Sequence, residues 1–193
     1  YVGLNFPKLT TPQWVGEPQV EAVVILAIDD MREPQKYERF LRPILERLKR
    51  IDGRSPVSIM CNALDPQHPQ LQSWLKEGLS LEVHTLTHPC PLLARSNFTA
   101  AAETYHGCVE LLHRIPGNQP VAFRMPCCDS MNSPSPRFYA EMFNRTNTAG
   151  QFLTLDSSVM NITTPKDQSL PRALTVDGDG RDRFRKYLPA VTN

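Results

Sequence analysis

The sequence lacks an excess of charge of either sign and contains no long hydrophobic run. Its 193 residues carry a formal net charge of +1, and the basic residues are spread along the chain. An evenly distributed charge argues against a nucleic-acid-binding surface. No apolar run reaches membrane-spanning length and no signal peptide is recognisable, although a chain that starts at Tyr1 says little about export. We therefore expect no nucleic-acid partner and no membrane span.

The cysteines fit no zinc-finger spacing. The chain has five of them: Cys61, Cys90, Cys108, Cys127 and Cys128. They could form disulfides in an exported protein or be buried thiols, and the odd number leaves at least one unpaired within the chain. Three Asn-x-Thr triplets, which begin at Asn97, Asn144 and Asn161, are compatible with secretion. We expect a secreted, periplasmic or extracellular protein.

Strand-like and helix-like segments alternate through most of the chain. A hydrophobic content of 40% and a charged content of 21% are values of a globular domain with a substantial core. The predicted strands lie near residues 23–28, 57–61, 80–83, 121–124 and 152–155. The predicted helices lie near residues 37–51, 69–77, 99–114 and 136–144. This alternation is typical of βαβ units and predicts an α/β fold with a parallel sheet.

The two ends of the chain differ from this pattern. Residues 1–20 contain three prolines and are predicted to be irregular, and residues 161–193 are polar and contain no predicted element. The strand–helix core is therefore expected over residues 21–160. Because the alternation stops after about five units, we expect a barrel or sheet that is incomplete at its C-terminus.

Two aspartates stand side by side at the end of the first apolar run, at Asp29 and Asp30. Successive side chains of a strand point to opposite faces, so both can face one cleft only if the strand ends between them. Two carboxylates this close would repel each other, and a bound cation that takes one as a ligand leaves the other ionised as a general base. The alternative is a turn or a helix N-cap, where aspartate is also common.

Two histidines follow the third predicted strand, at His84 and His88. They are four residues apart and share a face if one helical turn follows the strand. Such a pair is also a frequent accident on a helix surface. Here, however, both motifs fall at the carboxyl ends of parallel strands, the edge where such folds place their sites. One carboxylate and two imidazoles can hold a divalent metal and leave positions open for water and substrate.

Polar groups also follow the fourth and fifth strands. A guanidinium at Arg124 could hold a catalytic carboxylate by paired hydrogen bonds, or it could form a surface ion pair. The backbone amide of Cys127, after Pro126, could face a developing oxyanion. Asp156 could support the site or form an Asx-type turn.

With these residues in place, the sequence resembles the polysaccharide deacetylase domain, the NodB-like group of carbohydrate esterase family four. The family motif Thr-Phe-Asp-Asp corresponds to Ala-Ile-Asp-Asp at 27–30, and His-Ser/Thr-x-x-His is matched fully at 84–88. Arg-x-Pro-Tyr appears as Arg-Met-Pro-Cys at 124–127, and the Asp-containing motif falls at 155–158. The order agrees over about residues 22–160 and is most similar to the branch that includes chitin deacetylases.

The resemblance implies a distorted (β/α) barrel with fewer than eight complete units. It implies that Asp29 is the general base, that Arg124 orients it, that the Cys127 amide binds the oxyanion and that Asp156 supports the site. The implied ligands of a divalent metal, usually zinc with cobalt or nickel as alternatives, are Asp30, His84 and His88. The implied reaction removes N-acetyl or O-acetyl groups from an acetylated polysaccharide or oligosaccharide.

The sequence departs from the family in one respect that bears on activity. The family's catalytic acid is a histidine in a late Leu-x-His motif, and no histidine follows His113 here. Either the natural protein continues past Asn193 or the acid has been lost. Two further hypotheses therefore stand beside the hydrolase: a carbohydrate-binding pseudoenzyme that retains the metal site, and a purely structural barrel domain. The sequence does not indicate an oligomeric state.

Overall fold

The computed structural model describes residues 25–93, 97–128, 139–143, 145–146 and 150–158. All of them belong to one compact unit that extends to Ser158. The segments 1–20 and 161–193, for which we predicted irregular structure, lie outside the described residues.

The described part of the chain contains a sheet of five parallel strands. The strands are β1 (Leu26–Met31), β2 (Val57–Cys61), β3 (Ser80–Val83), β4 (Ala122–Phe123) and β5 (Leu155–Asp156). Their spatial order is β1-β2-β3-β4-β5, so each strand pairs with its predecessor in sequence. Sequential parallel strands joined through helices form the wall of a (β/α) barrel. The predicted α/β class with a parallel sheet is confirmed.

The described segments contain three α-helices: α1 (Pro34–Asp52), α2 (Pro69–Glu77) and α3 (Phe98–His113). Where a helix was predicted over 136–144, the described residues contain a single π-helical turn, Tyr139–Phe143. The predicted bounds of β2, α2 and β3 agree with the structure, whereas β1 lies three residues later than predicted and β5 begins three residues later. No helix in the described ranges combines the length and apolar character needed to cross a bilayer.

Local sequence signals set the helix ends. Proline occupies the first turn of α1, and Gly53 ends that helix at a φ of 73° that only glycine adopts without strain. The His68 ring accepts a hydrogen bond from the Gln70 amide at the start of α2. Asn97 accepts one from the Ala100 amide and caps α3.

The core lies between the central strands and the helices. Strands β2 and β3 are mostly buried, and most of their residues are apolar. Among the described residues, the largest fully buried side chain is Trp74 of α2, whose indole donates to the Glu38 carboxylate on α1 at 2.7 Å. Arg42 bonds Glu38 and Glu77 and ties α1 to the end of α2. This packing fixes the strands whose carboxyl ends carry the polar motifs.

Candidate metal centre

The acidic pair lies inside β1 rather than after it. The strand continues to Met31, and its register against β2 shifts between Ile28 and Met31. Within this bulge Asp30 adopts a φ of 67°. The expectation that the strand ends between the two aspartates was wrong. A bulge achieves the same result, because one extra residue re-aims the side chains that follow it.

The two histidines lie on an irregular loop after β3, and the predicted helical turn between them is absent. Thr85 and His88 have left-handed backbones, with φ values of 66° and 53°. These two residues fold the chain back so that the rings of His84 and His88 lie 4.9 Å apart, centre to centre. The side chain of His84 is 2% exposed and that of His88 is 19% exposed.

The carboxylate and the two imidazoles converge. Asp30 Oδ1 lies 3.1 Å from His88 Nε2 and 3.8 Å from His84 Nε2. One ligand atom from each of the three side chains lies within 4.8 Å of the others, and this is the one such group among the residues described. Two ligands of a tetrahedral zinc ion stand about 3.4 Å apart, given bonds of about 2.1 Å. The observed separations therefore fit a divalent metal.

The hydrogen bond on the far side of His84 supports the same assignment. Its Nδ1 lies 2.7 Å from the backbone carbonyl of Arg124. Because a carbonyl can only accept, Nδ1 carries the proton and Nε2 presents its lone pair towards Asp30. Burial lowers the pKa of His84, so the ring is neutral near pH 7. A neutral imidazole held through its other nitrogen is the usual form of a metal ligand.

A buried amide holds the start of the histidine loop. Asn62, which directly follows β2, donates to the carbonyls of His84 and Thr85 at 2.9 and 3.0 Å. Its side-chain oxygen accepts from Arg32 Nε at 3.2 Å. Asn62 is fully buried. It thus satisfies backbone groups that the left-handed Thr85 removes from regular pairing.

Helix α3 holds the middle of the same loop. The Leu86 amide donates to the Thr104 carbonyl, and the Thr87 amide donates to Thr104 Oγ1, both at 3.0 Å. Gly107 permits the close approach, because a Cβ there would stand 2.5 Å from a terminal methyl of Leu86. The loop between the two candidate ligands is therefore fastened to a helix rather than free.

Asp29 is held from two sides. Arg124 Nη1 donates to Asp29 Oδ1 at 2.8 Å, and the Tyr37 hydroxyl donates to the Asp29 backbone carbonyl at 2.6 Å. The expected pair of bonds from Arg124 to one carboxylate is not formed, because Arg124 Nε donates to Ser157 Oγ at 3.2 Å instead. The guanidinium therefore bridges the ends of β1 and β5.

Asp156 forms the turn that was the alternative interpretation. Its carboxylate accepts from the Ser158 amide at 2.8 Å, and Ser158 Oγ accepts from the Met125 amide at 2.7 Å. A supporting role for Asp156 in the site stays a prediction. Sequence reasoning missed Ser157, whose only signal was its place beside Asp156. It also missed Tyr37 and Asn62, for which the sequence gave no signal.

Both alternatives for the cysteines occur. Cys90, two residues after His88, forms a disulfide with Cys127, with the Cα atoms 5.8 Å apart. Cys61 and Cys108 are buried free thiols, and burial raises the pKa of both. Cys127 has a φ of 59°. The disulfide joins the loop after β3 to the loop after β4, and the oxyanion role of the Cys127 amide stays a prediction.

Comparison with protein-family models gives no match, and comparison with curated proteins gives none. Among solved structures, the chain is similar to the peptidoglycan deacetylase PdaC from Bacillus subtilis, with 21% identity and a TM-score of 0.49 over 75% of this chain. It spans 61% of that protein's length.

Two further structures are similar. The catalytic domain of a peptidoglycan N-acetylglucosamine deacetylase from Eubacterium rectale gives 16% identity and a TM-score of 0.44, covering 76% of this chain and 63% of that one. The family 4 carbohydrate esterase from Streptomyces lividans, in complex with acetate, gives 17% identity and a TM-score of 0.41. This match covers 53% of this chain and 50% of that one. At these identities the likeness concerns the fold alone.

Proposed function

We propose that this protein is a metal-dependent hydrolase that removes N-acetyl or O-acetyl groups from a polysaccharide or oligosaccharide. One observation carries the proposal. Asp30, His84 and His88 converge, and the second carboxylate, that of the neighbouring Asp29, is held separately by a hydrogen bond from Arg124. A site that served only to bind a metal would not need this additional, fixed carboxylate. The motif resemblance supports the choice of an acetylated glycan.

Three protein ligands of nitrogen and oxygen type leave a coordination position open, which suits zinc, with cobalt or nickel as alternatives. When bound, such a metal polarises the acetyl carbonyl and lowers the pKa of a water molecule. Asp29 has one oxygen, Oδ1, bonded to Arg124, whereas no described residue bonds Oδ2. Oδ2 is therefore the atom that takes the proton from water. The Cys127 amide is assigned to the oxyanion.

The disulfide supports a location outside the cytoplasm. Disulfides persist in oxidising compartments and are rare where glutathione keeps thiols reduced. Cys90 and Cys127 are both exposed, so cellular thiols would reach them. We propose that the protein is secreted or periplasmic, where acetylated polysaccharides are also found.

Two variants of the site test the reaction. Asp29→Asn should keep the metal and lower turnover by about 10²–10⁴-fold, because it removes the base alone. His84→Ala should lose both metal and turnover. Metal content by mass spectrometry and acetate release from acetylated chitooligosaccharides, with the full-length protein, are the measurements. His113→Ala is the control, since that ring bonds its own helix at the Val109 carbonyl. Unchanged turnover in Asp29→Asn would refute the assigned base.

The second candidate is a carbohydrate-binding pseudoenzyme, which would hold a metal through the same three side chains, Asp30, His84 and His88. It predicts a wild-type protein that retains a divalent metal and binds glycan but releases no acetate. A protein that retains no zinc, cobalt or nickel would instead favour a purely structural domain.

A further inference from the structure

A cleft of ≈ 650 Å³ opens directly beside the candidate metal centre. Asp30 and His88 line it together with the end of β1 and the first two turns of α1. A glycan whose acetyl group reaches the metal therefore places a neighbouring ring or substituent in this cleft. Its lining determines which substituents are accepted there.

One part of the lining is aromatic. Tyr37 and Phe40, three residues apart on α1, both line the cleft, and the Phe40 side chain is 65% exposed. An exposed aromatic face in a concave site offers an apolar platform, while a few polar groups fix the orientation of the ligand. The apolar face of a sugar ring suits such a platform.

The charged residues described in the lining are two cations, Arg32 and Lys36, and two acids, Asp30 and Glu33, so the charges are equal in number. Asp30 Oδ1 lies 3.1 Å from His88 Nε2, and as a ligand it would share its charge with the metal. A divalent metal held there would therefore make the cleft positive. No carboxylate of the described residues pairs with the Lys36 ammonium. A neutral sugar would leave this charge unused, whereas an anionic group would compensate it.

Arg32 is also held in place. Its Nε donates to Asn62 Oδ1, the same amide that fixes the histidine loop, and its Nη2 lies 4.0 Å from Asp30 Oδ1. The guanidinium is therefore fixed beside the metal ligand with part of its donor fork still exposed. A planar fork of N–H donors matches the oxygens of a carboxylate or sulfate.

We infer, on the basis of the proposed function, that the glycan carries an oxyanion group, carboxylate or sulfate, on a sugar next to the acetylated one. Arg32 and Lys36 bind this group, and Phe40 and Tyr37 support the ring that bears it. Arg32 and Lys36 are thus residues that determine substrate specificity.

The inference is tested with oligosaccharides of equal length that carry an acetylated amino sugar beside a neutral sugar, a uronic acid or a sulfated sugar. Two quantities are measured at low and at high salt: the dissociation constant by calorimetry and kcat/KM by acetate release. Wild type should prefer one or both of the acidic forms by about fivefold or more at low salt, and added salt should reduce the preference. The uronic and sulfated ligands together distinguish the two sources of negative charge.

Lys36→Gln should remove most of this preference, acting on KM and the dissociation constant rather than on kcat. Lys76→Gln is the matched control, because it removes the same charge from an exposed position on α2 outside the cleft. Equal binding of neutral and acidic ligands by wild type, or equal effects of the two variants, would overturn the inference. Selective binding of acidic ligands without acetate release would support the inference and reject the hydrolase. Acetate release without selectivity for acidic ligands would support the hydrolase and reject the inference.

Discussion

Residues with positive φ occur at both edges of the sheet, but the residue types differ between the two edges. Among the described residues, the positive-φ glycines are Gly53, Gly78, Gly117 and Gly150. All of them precede a strand and so lie at its amino end. The other residues with positive φ are Asp30, Thr85, His88 and Cys127. These lie at the carboxyl ends of β1, β3 and β4.

The difference fits the function proposed for the carboxyl edge. At the amino edge glycine makes the turn without steric strain. At the carboxyl edge non-glycine residues adopt the left-handed region at a cost of about 1–2 kcal/mol each, and in the proposed function the side chains of this edge supply the site. Such strained conformations persist only where surrounding contacts hold the backbone in place. The carboxyl edge accordingly carries the disulfide, the Asn62 amide and the bridging Arg124.

The largest expected effect comes from removing the disulfide. Cys90→Ala combined with Cys127→Ala should lower the free energy of unfolding by about 2–4 kcal/mol, because the bond closes a long loop. It should also weaken metal binding, since Cys90 lies two residues from His88. Denaturant unfolding of the metal-free protein and titration with zinc measure the two effects separately. Reduction of the wild-type disulfide with a dithiol should reproduce the loss of stability and the loss of zinc affinity. An unchanged zinc affinity would show that the loop carrying His88 does not need the disulfide to hold its position.

Two buried asparagines provide the most direct comparison of the edges. Asn62 donates to two carbonyls at the carboxyl edge, and Asn118 donates to the carbonyls of Leu81 and Leu112 near the amino edge. Each replacement by alanine should cost about 2–3 kcal/mol, because buried carbonyls lose their donors. Asn62→Ala alone should also weaken metal affinity, by about tenfold. If Asn118→Ala weakens metal binding as much, the edges are not independent.

A smaller effect, confined to the amino side, concerns acid stability. Hydrogen bonds from Arg42, opposed by burial and aided by Lys49, lower the pKa of Glu77 from 4.5 to about 2. A carboxyl with a lowered folded pKa contributes stability above pH 4.5, and this stability is lost as the pH falls towards 2. We expect about 1–2 kcal/mol after allowance for solvent, since the Arg42 side chain is 30% exposed.

Glu77→Gln should therefore flatten the stability profile between pH 4.5 and pH 2 and leave metal affinity at pH 7 unchanged. Thermal unfolding across this pH range is the measurement. Glu46→Gln, in the same cluster but 52% exposed, serves as the control and should change little. A steep acid transition that persists in Glu77→Gln would assign the loss to other carboxyls.

The smallest effect is expected at a glycine turn. A Cβ at Gly53 would meet no atom within 4 Å, so Gly53→Ala adds backbone strain alone. We expect a loss of about 1 kcal/mol in unfolding free energy and no change in metal binding. Gly53→Asn should lose less, because asparagine tolerates the left-handed region better. Equal losses for both variants in denaturant unfolding would point to a cause other than strain.

The elements that could be predicted closely are those with strong local boundaries. Strand β3, for example, is a short segment between Gly78, which ends α2, and the polar loop that begins at His84. Strand β1 was placed too early because two charged residues, Asp29 and Asp30, interrupt its apolar run, whereas pairing of Met31 with Cys61 of β2 extends the strand past this bulge. The fifth strand was misplaced for a similar reason, since Ala122 and Phe123 of β4 set its register.

The types of side chain that could hold a metal were predicted from the sequence. A carboxylate and two imidazoles can hold a metal where they meet, and parallel strands bring their carboxyl ends to one edge, so the Asp29–Asp30 pair, His84 and His88 could be predicted to meet. The choice of Asp30 as the ligand came from the family resemblance. Their geometry depended on the folded chain. The lone pair of His84 is directed by a carbonyl 40 residues away, and Asp29 is held by a guanidinium 95 residues away. Such partners are chosen by packing between distant segments, which no local pattern in the sequence records.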